Sequence, residues 1–257
     1  MTAGSPSFGS LPTWLELDRW EYSELFDPMP AVDYTSLMSD VRHLARSANL
    51  PSHPFFKLAA REMSALELWV TQELVMTNSF SQLVLYAAAQ TCNVHARAIL
   101  TEIAKGEHEL VDDGGAFESH PWLLERLRES LSIERGSVRP LAPVLAFIGR
   151  LAAHVSDPLG AIAFIGIGNE LIIVPEYREI ERCFRAQAKD SEYQPFLEAN
   201  IVADVDHARM CVQLAAKYIS LGASRDAFLG LARDAIASRV TYFDDLYSLA
   251  RAARSPT

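Results

Sequence analysis

The side chains best suited to chemistry in this chain are acids and histidines placed where core residues belong. An α-helix advances about 100° per residue, so positions three, four and seven apart share a face. Asn200, Asp204 and His207 step by four and three, and their stripe continues through Cys211 and Leu214. The opposite face carries Asp206, Arg209, Gln213 and Lys217, so Asp204 and His207 point inward and Asp206 points to water. Glu107 falls in line with Ala96, Leu100, Ile103 and Leu110, whereas Glu102 aligns with Lys105 and Glu109. Glu73 shares a stripe with Leu66, Trp69, Met76, Phe80 and Val84. Glu170 is the only charge between Leu159 and Pro175, with Ala163, Gly166, Ile173 and Tyr177 as its stripe neighbours.

A buried carboxylate is costly unless it is paired or holds a metal. One alone is ordinarily half of a core ion pair. Here three glutamates, one aspartate and one histidine point inward, and Arg150 and Arg185 are the nearest candidate cations. Two cations do not balance four carboxylates, so a divalent metal site is the economical reading. Glutamates with a histidine on facing helices of a bundle are the pattern of dinuclear carboxylate proteins. His120 is a further candidate ligand. It stands before Pro121 at a helix start, where the positive end of the helix dipole favours the neutral imidazole that a metal needs. Alone, it reads as a simple cap beside Ser119. The remaining histidines read as surface or satisfied core groups.

The elements that position these groups are helical throughout. Periodicity predicts helices over about 31–49, 55–90 (with a break near Met63), 92–110, 121–132, 139–155, 158–187, 192–221 and 223–254. Residues 1–30 read as an extended arm anchored by Trp14, Trp20 and Phe26, and 111–119 as a loop. Residues 31–257 then form one helical-bundle domain, without a linker or repeat. The formal charge of −10 and the lack of a basic stripe argue against nucleic acid. Cys92, Cys183 and Cys211 form no close pair, which excludes a disulfide scaffold or thiolate zinc site and fits a reducing cytoplasm. No secretory signal is evident, and the apolar run from Leu159 to Pro175 is short for a bilayer and reads as a buried helix.

Taken in order, these residues resemble the haem-oxygenase-like di-iron oxidases and oxygenases. The resemblance is carried by Gln72-Glu73-Leu74, the run Asn93 to His108, Ser119-His120-Pro121, the Gly-x-Gly-x-Glu turn ending at Glu170 with Val174-Pro175 and Tyr177 beyond it, and Asn200-x3-Asp204-x2-His207. It spans roughly residues 65–215. It implies an all-α, haem-oxygenase-like bundle of about seven helices with an N-terminal extension. It also implies Fe(II), two ions per chain, held by Glu73, Glu107, His120, Glu170, Asp204 and His207. Many members have histidine where this chain has Asn200, and an amide oxygen is a weaker ligand for iron than imidazole. The implied activity is that of an oxygen-activating oxidoreductase in a specialised biosynthetic pathway. Its substrate would be a small amino-acid-derived or fatty-acid-like molecule, its electron source an external reductant or donor protein, and a homodimer is compatible. Trp69, Phe80, Phe164 and Tyr177 would line the pocket.

Three other readings predict different behaviour. A thiaminase-like hydrolase of the same fold would need a nucleophilic cysteine, for which Cys211 is placed, although a small buried apolar role is the ordinary one. A haem protein would have only His43 as axial ligand. A non-catalytic helical binding protein would keep its inward acids paired and bind no metal.

Overall fold

The computed structural model describes residues 30–108, 119–189 and 193–253. The arm expected at 1–30, with Trp14, Trp20 and Phe26, and the loop expected at 111–119 lie almost wholly outside them. Nine helices organise the described chain: α1 (Thr35–Ala48), α2 (Pro54–Ala59), α3 (Met63–Gln90), α4 (Val94–His108), α5 (His120–Ser130), α6 (Ala142–His154), α7 (Pro158–Ala186), α8 (Gln194–Ser220) and α9 (Arg225–Ala252). The fold is all-α, and no strand occurs among the described residues.

Helix boundaries follow local chemistry. His53 accepts a hydrogen bond from the Phe55 N–H through Nδ1 and so caps α2, with Pro54 in its first turn. The break expected near Met63 falls at residues 60–62, where Glu62 is extended (φ −134°). Asp157 caps α7 by accepting from the Gly160 N–H. Ser224 caps α9 by accepting from the Ala227 N–H.

The long helix α7 departs from expectation. Its segment Ile162–Leu171 is a π-helix rather than an α-helix. Pro175 has no N–H for the Leu171 carbonyl, which weakens α-helical bonding at the end of the wide segment. Asn169 donates its side-chain N–H to the Phe164 carbonyl at 2.9 Å, satisfying an oxygen within the widened turns. The π segment packs against α8 and α9, and its glycines permit this. A Cβ on Gly166 would lie 2.2 Å from Cys211 Cβ on α8, and one on Gly168 would lie 2.8 Å from Ala235 Cβ on α9.

By length and composition α7 could cross a membrane, but 72% of its most apolar window is buried inside the bundle. It is the central core helix, as the sequence suggested for the run from Leu159 to Pro175.

Candidate metal centre

The six candidate ligands come from five helices and meet in the interior. Glu73 is on α3, Glu107 on α4, His120 opens α5, Glu170 lies in the π segment of α7, and Asp204 and His207 are on α8. All six are buried, between 1% and 8% exposed. Their solvent-facing counterparts behave as the stripes predicted. Glu102 pairs with Lys105 at the surface, and Asp206 pairs with Arg209.

Two histidine–carboxylate pairs form one side of the cluster. His120 Nδ1 is 2.9 Å from Glu107 Oε1, and His207 Nδ1 is 3.2 Å from Glu170 Oε2. The two rings converge over Gly106, where a Cβ would stand 3.4 Å from His207 Cε1 and 4.0 Å from His120 Cε1. Asp204 Oδ1 is 4.0 Å from His207 Nδ1, and Glu170, Asp204 and His207 each offer a ligand atom within 4.8 Å of the others.

The other side is a cavity of about 20 Å³ bordered by Glu73, Glu107, Glu170, Asn200 and Asp204. That is room for about one water-sized guest. Met76, Thr77, Phe80, Ile173 and Tyr177 complete its wall. Asn200 donates its amide N–H to the Phe196 carbonyl at 2.7 Å, which leaves its oxygen as the atom available to a ligand.

The donor set fits a cation on two counts. Two ligand atoms about 2.1 Å from one ion and at right angles stand about 3 Å apart, close to the separations within both histidine–carboxylate pairs. Glu107 Oε2 and Asp204 Oδ2 are buried without any hydrogen-bond partner among the described residues, a cost that an ion removes. The electrostatics agree. Asp204 is pushed well above the usual carboxylate range by burial and then by the neighbouring charges of Glu170 and Glu107. For His120, burial opposes the imidazolium, but Glu107 and then Glu170 outweigh it and raise its pKa. His207 is raised in the same way, chiefly by Glu170 against burial.

A family model described as iron-containing redox enzyme matches residues 67–239. The chain belongs to that family. No curated protein matches it. Solved structures share its fold at low identity. A CADD-like protein of unknown function from Nostoc punctiforme superposes with a TM-score of 0.62 at 16% identity, over 82% of this chain and 99% of that one. A domain of unknown function with a heme oxygenase-like fold from Shewanella denitrificans gives 0.60 at 14%, over 89% and 97%. A TenA family transcription regulator from Silicibacter gives 0.55 at 15%, over 85% and 99%. At such identities the likeness is one of fold.

In this member of the family, the neutralising cations are not the expected ones. Arg150 and Arg185 are both exposed. The cation buried beside the candidate ligands is Arg239 on α9. It binds Glu176 through Nε (2.8 Å) and Nη2 (2.6 Å), and its Nη2 also reaches Glu73 Oε1 at 3.1 Å. The stripe test would have found both residues. Arg239 lies in line with Ala232, Ala235, Ile236, Tyr242, Phe243 and Leu246, and Glu176 with Ile172, Ile173, Ile180 and Cys183.

Of the expected pocket residues, Phe80 and Tyr177 border the cavity. Trp69 stands behind, edge-on to Tyr177 at 5.8 Å, and Phe164 stacks on His154 at 4.2 Å. Helical phase marks a ring as inward without saying which part of the interior it meets. Cys211 is buried against Gly166, and burial raises its thiol pKa. A nucleophilic thiolate needs the opposite. His43 is exposed on α1.

Proposed function

We propose that the chain is a di-iron, oxygen-activating oxidase or oxygenase acting on a small molecule, with Glu73, Glu107, His120, Glu170, Asp204 and His207 as its metal ligands. The observation that carries this reading is the charge balance of the interior. Arg239 is committed to Glu176 by two short bonds, and the other buried arginine, Arg128, is taken by Glu125 and Glu129, which leaves Glu73, Glu107, Glu170 and Asp204 around one cavity with no cation of their own among its lining residues. Four carboxylates with two neutral imidazoles are neutralised by two divalent ions, and one ion would leave a net charge of about −2 in a low-dielectric site.

Ferrous ions there would supply the electrons that activate dioxygen. The protein's own groups set the conditions. Glu170, bonded to His207 and bordering the cavity, would be shared by the two halves of the site. Glu107, His120 and His207 gather on one side, and Glu73, Asp204 and the Asn200 oxygen on the other. Tyr177 O–H donates to Glu73 Oε1 at 3.0 Å and holds a proton beside that carboxylate. Phe80, Met76 and Ile173 exclude bulk water. The cavity is small, so an amino-acid-derived or fatty-acid-like substrate would approach along its Met76–Thr77–Phe80–Ile173 wall. An external reductant or donor protein would restore the ferrous state.

The test is anaerobic Fe(II) loading with metal analysis, followed by the optical spectrum and oxygen uptake on exposure to O2. Near two irons per chain and iron-dependent oxygen uptake are expected. A single iron would remove the two-ion reading and leave a mono-iron site. No bound iron, with stability unchanged by a chelator, would sink the reading in favour of a helical binding protein.

A further inference from the structure

The buried arginine next to the cavity has more acid around it than a core ion pair requires. Arg239 is enclosed by the rings of Phe147, Tyr242 and Phe243, which stand 5.3, 5.2 and 5.8 Å from its guanidinium carbon. Glu176 takes Nε and Nη2 in a two-point grip, which by itself makes a matched pair. Yet the same Nη2 also turns to Glu73, at 3.1 Å from Oε1 and 3.4 Å from Oε2. Glu73 Oε1 has a second donor in the Tyr177 O–H at 3.0 Å. One oxygen of Glu73 is therefore anchored by two donors, while the other has only the longer contact, and the carboxylate borders the cavity.

We infer that Arg239 is a positioning residue for Glu73: seated in its aromatic box and held by Glu176, it fixes Oε1 together with Tyr177, so that Oε2 is presented to a metal ion on the Asp204–Asn200 side. This rests on the two-ion reading proposed above. It makes the site asymmetric in a defined way. The Glu107–His120–Glu170–His207 side contains two carboxylate–imidazole pairs and does not depend on Arg239. The other side has an amide at position 200 and depends on an arginine from the last helix for the orientation of its glutamate. The guanidinium also discourages bidentate capture of Glu73, because an ion taking both oxygens would have to displace Nη2 and the tyrosine hydroxyl.

The test is stepwise anaerobic titration of the full-length protein with Fe(II), and in parallel with Mn(II), whose paired and isolated ions differ in their electron paramagnetic resonance spectra. Arg239→Met alone strands Glu176 as well as Glu73, so the informative variant is Arg239→Met combined with Glu176→Leu, which removes that pair whole and leaves Glu73 as the one carboxylate that loses a donor. Its fold is checked by thermal melting in chelator. Wild type should take two ions. The double variant should bind the first with unchanged affinity and the second about 10-fold or more weakly, the size of effect seen when an outer partner of a ligand is removed. The coupled Mn(II) signal should give way to that of isolated ions. Arg239→Lys should restore part of the second affinity, and Tyr177→Phe should reduce it by a smaller factor.

A double variant that takes both ions as wild type does overturns the positioning role while leaving the two-ion reading intact. Equal weakening of both ions also overturns it, by making Arg239 a general support of the bundle. Wild type that binds fewer than two ions removes the two-ion reading, and this inference with it.

Discussion

Two acidic clusters lie side by side in this bundle, equally buried and solved by opposite means. Around Arg239, Glu176 and Glu73 meet a fixed guanidinium inside a box of aromatic rings. Around Glu170, the acids Glu107 and Asp204 meet only histidines, and an oxygen of each has no partner among the described residues. The first cluster holds its own cation, although Arg239 Nη1 has no hydrogen-bond partner among the described residues; the second has none and is balanced only by a cation from outside. A protein that merely needed polar groups in its core would satisfy both in the same way. Glu73, which belongs to both, connects a permanent charge to an exchangeable one.

The contrast is broken most directly at its fixed end. Arg239→Met alone leaves two buried carboxylates without their cation and should cost about 3–5 kcal/mol in urea unfolding; a loss near zero would mean the arginine is not the keystone of its cluster. The exchangeable end should respond to metal instead. Fe(II) at a hundred times its dissociation constant should stabilise the wild-type fold by about 2.7 kcal/mol, and a melting temperature blind to iron would contradict the ligand role.

Packing sharpens the comparison next. Gly166→Ala drives a methyl group into Cys211, on the α8 stripe that carries His207. It should cost about 1–3 kcal/mol and lower iron loading together with stability, as calorimetry and metal analysis would register. Smaller again is Asp204→Asn. A carboxyl raised in the folded state is destabilising near neutral pH, above its unfolded pKa, so its removal in chelator should stabilise the fold. The same variant should bind iron poorly. Stability and loading thus move in opposite directions, unlike the Arg239 variant, and a parallel fall in both would blur the distinction. Glu102→Gln, at the surface of α4, should shift stability by less than about 0.5 kcal/mol and leave iron stoichiometry unchanged.

Legibility differed by residue. Glu73, Glu107, Asp204 and His207 were readable because each interrupts an apolar stripe of an α-helix with ordinary 3.6-residue phase. Glu170 was readable for another reason. The whole segment from Ile162 to Glu170 is buried, so the stripe drawn through Gly166 and Ile173 carried no information in a helix of π geometry. Arg239 and Glu176 carry the same stripe signal, but helical phase places each in the core without marking the two as partners across separate helices. The ring of Phe164 was inward, as expected, but lies against His154 rather than the cavity.

The sequence by itself determined the helical class, the apolar faces and the inward direction of most of the acids and histidines, because periodicity relates each side chain to its own helix axis. Only the tertiary structure decided which of them meet: that Glu107 closes on His120 across residues 109–118, that Glu170 reaches His207, and that Arg239 from the last helix takes Glu176 and Glu73. The physical reason is that phase within a helix carries no information about the rise, rotation and spacing between helices. Those are set by packing, here by glycines that let α7 approach α8 and α9 closely enough to bring Glu170 beside His207.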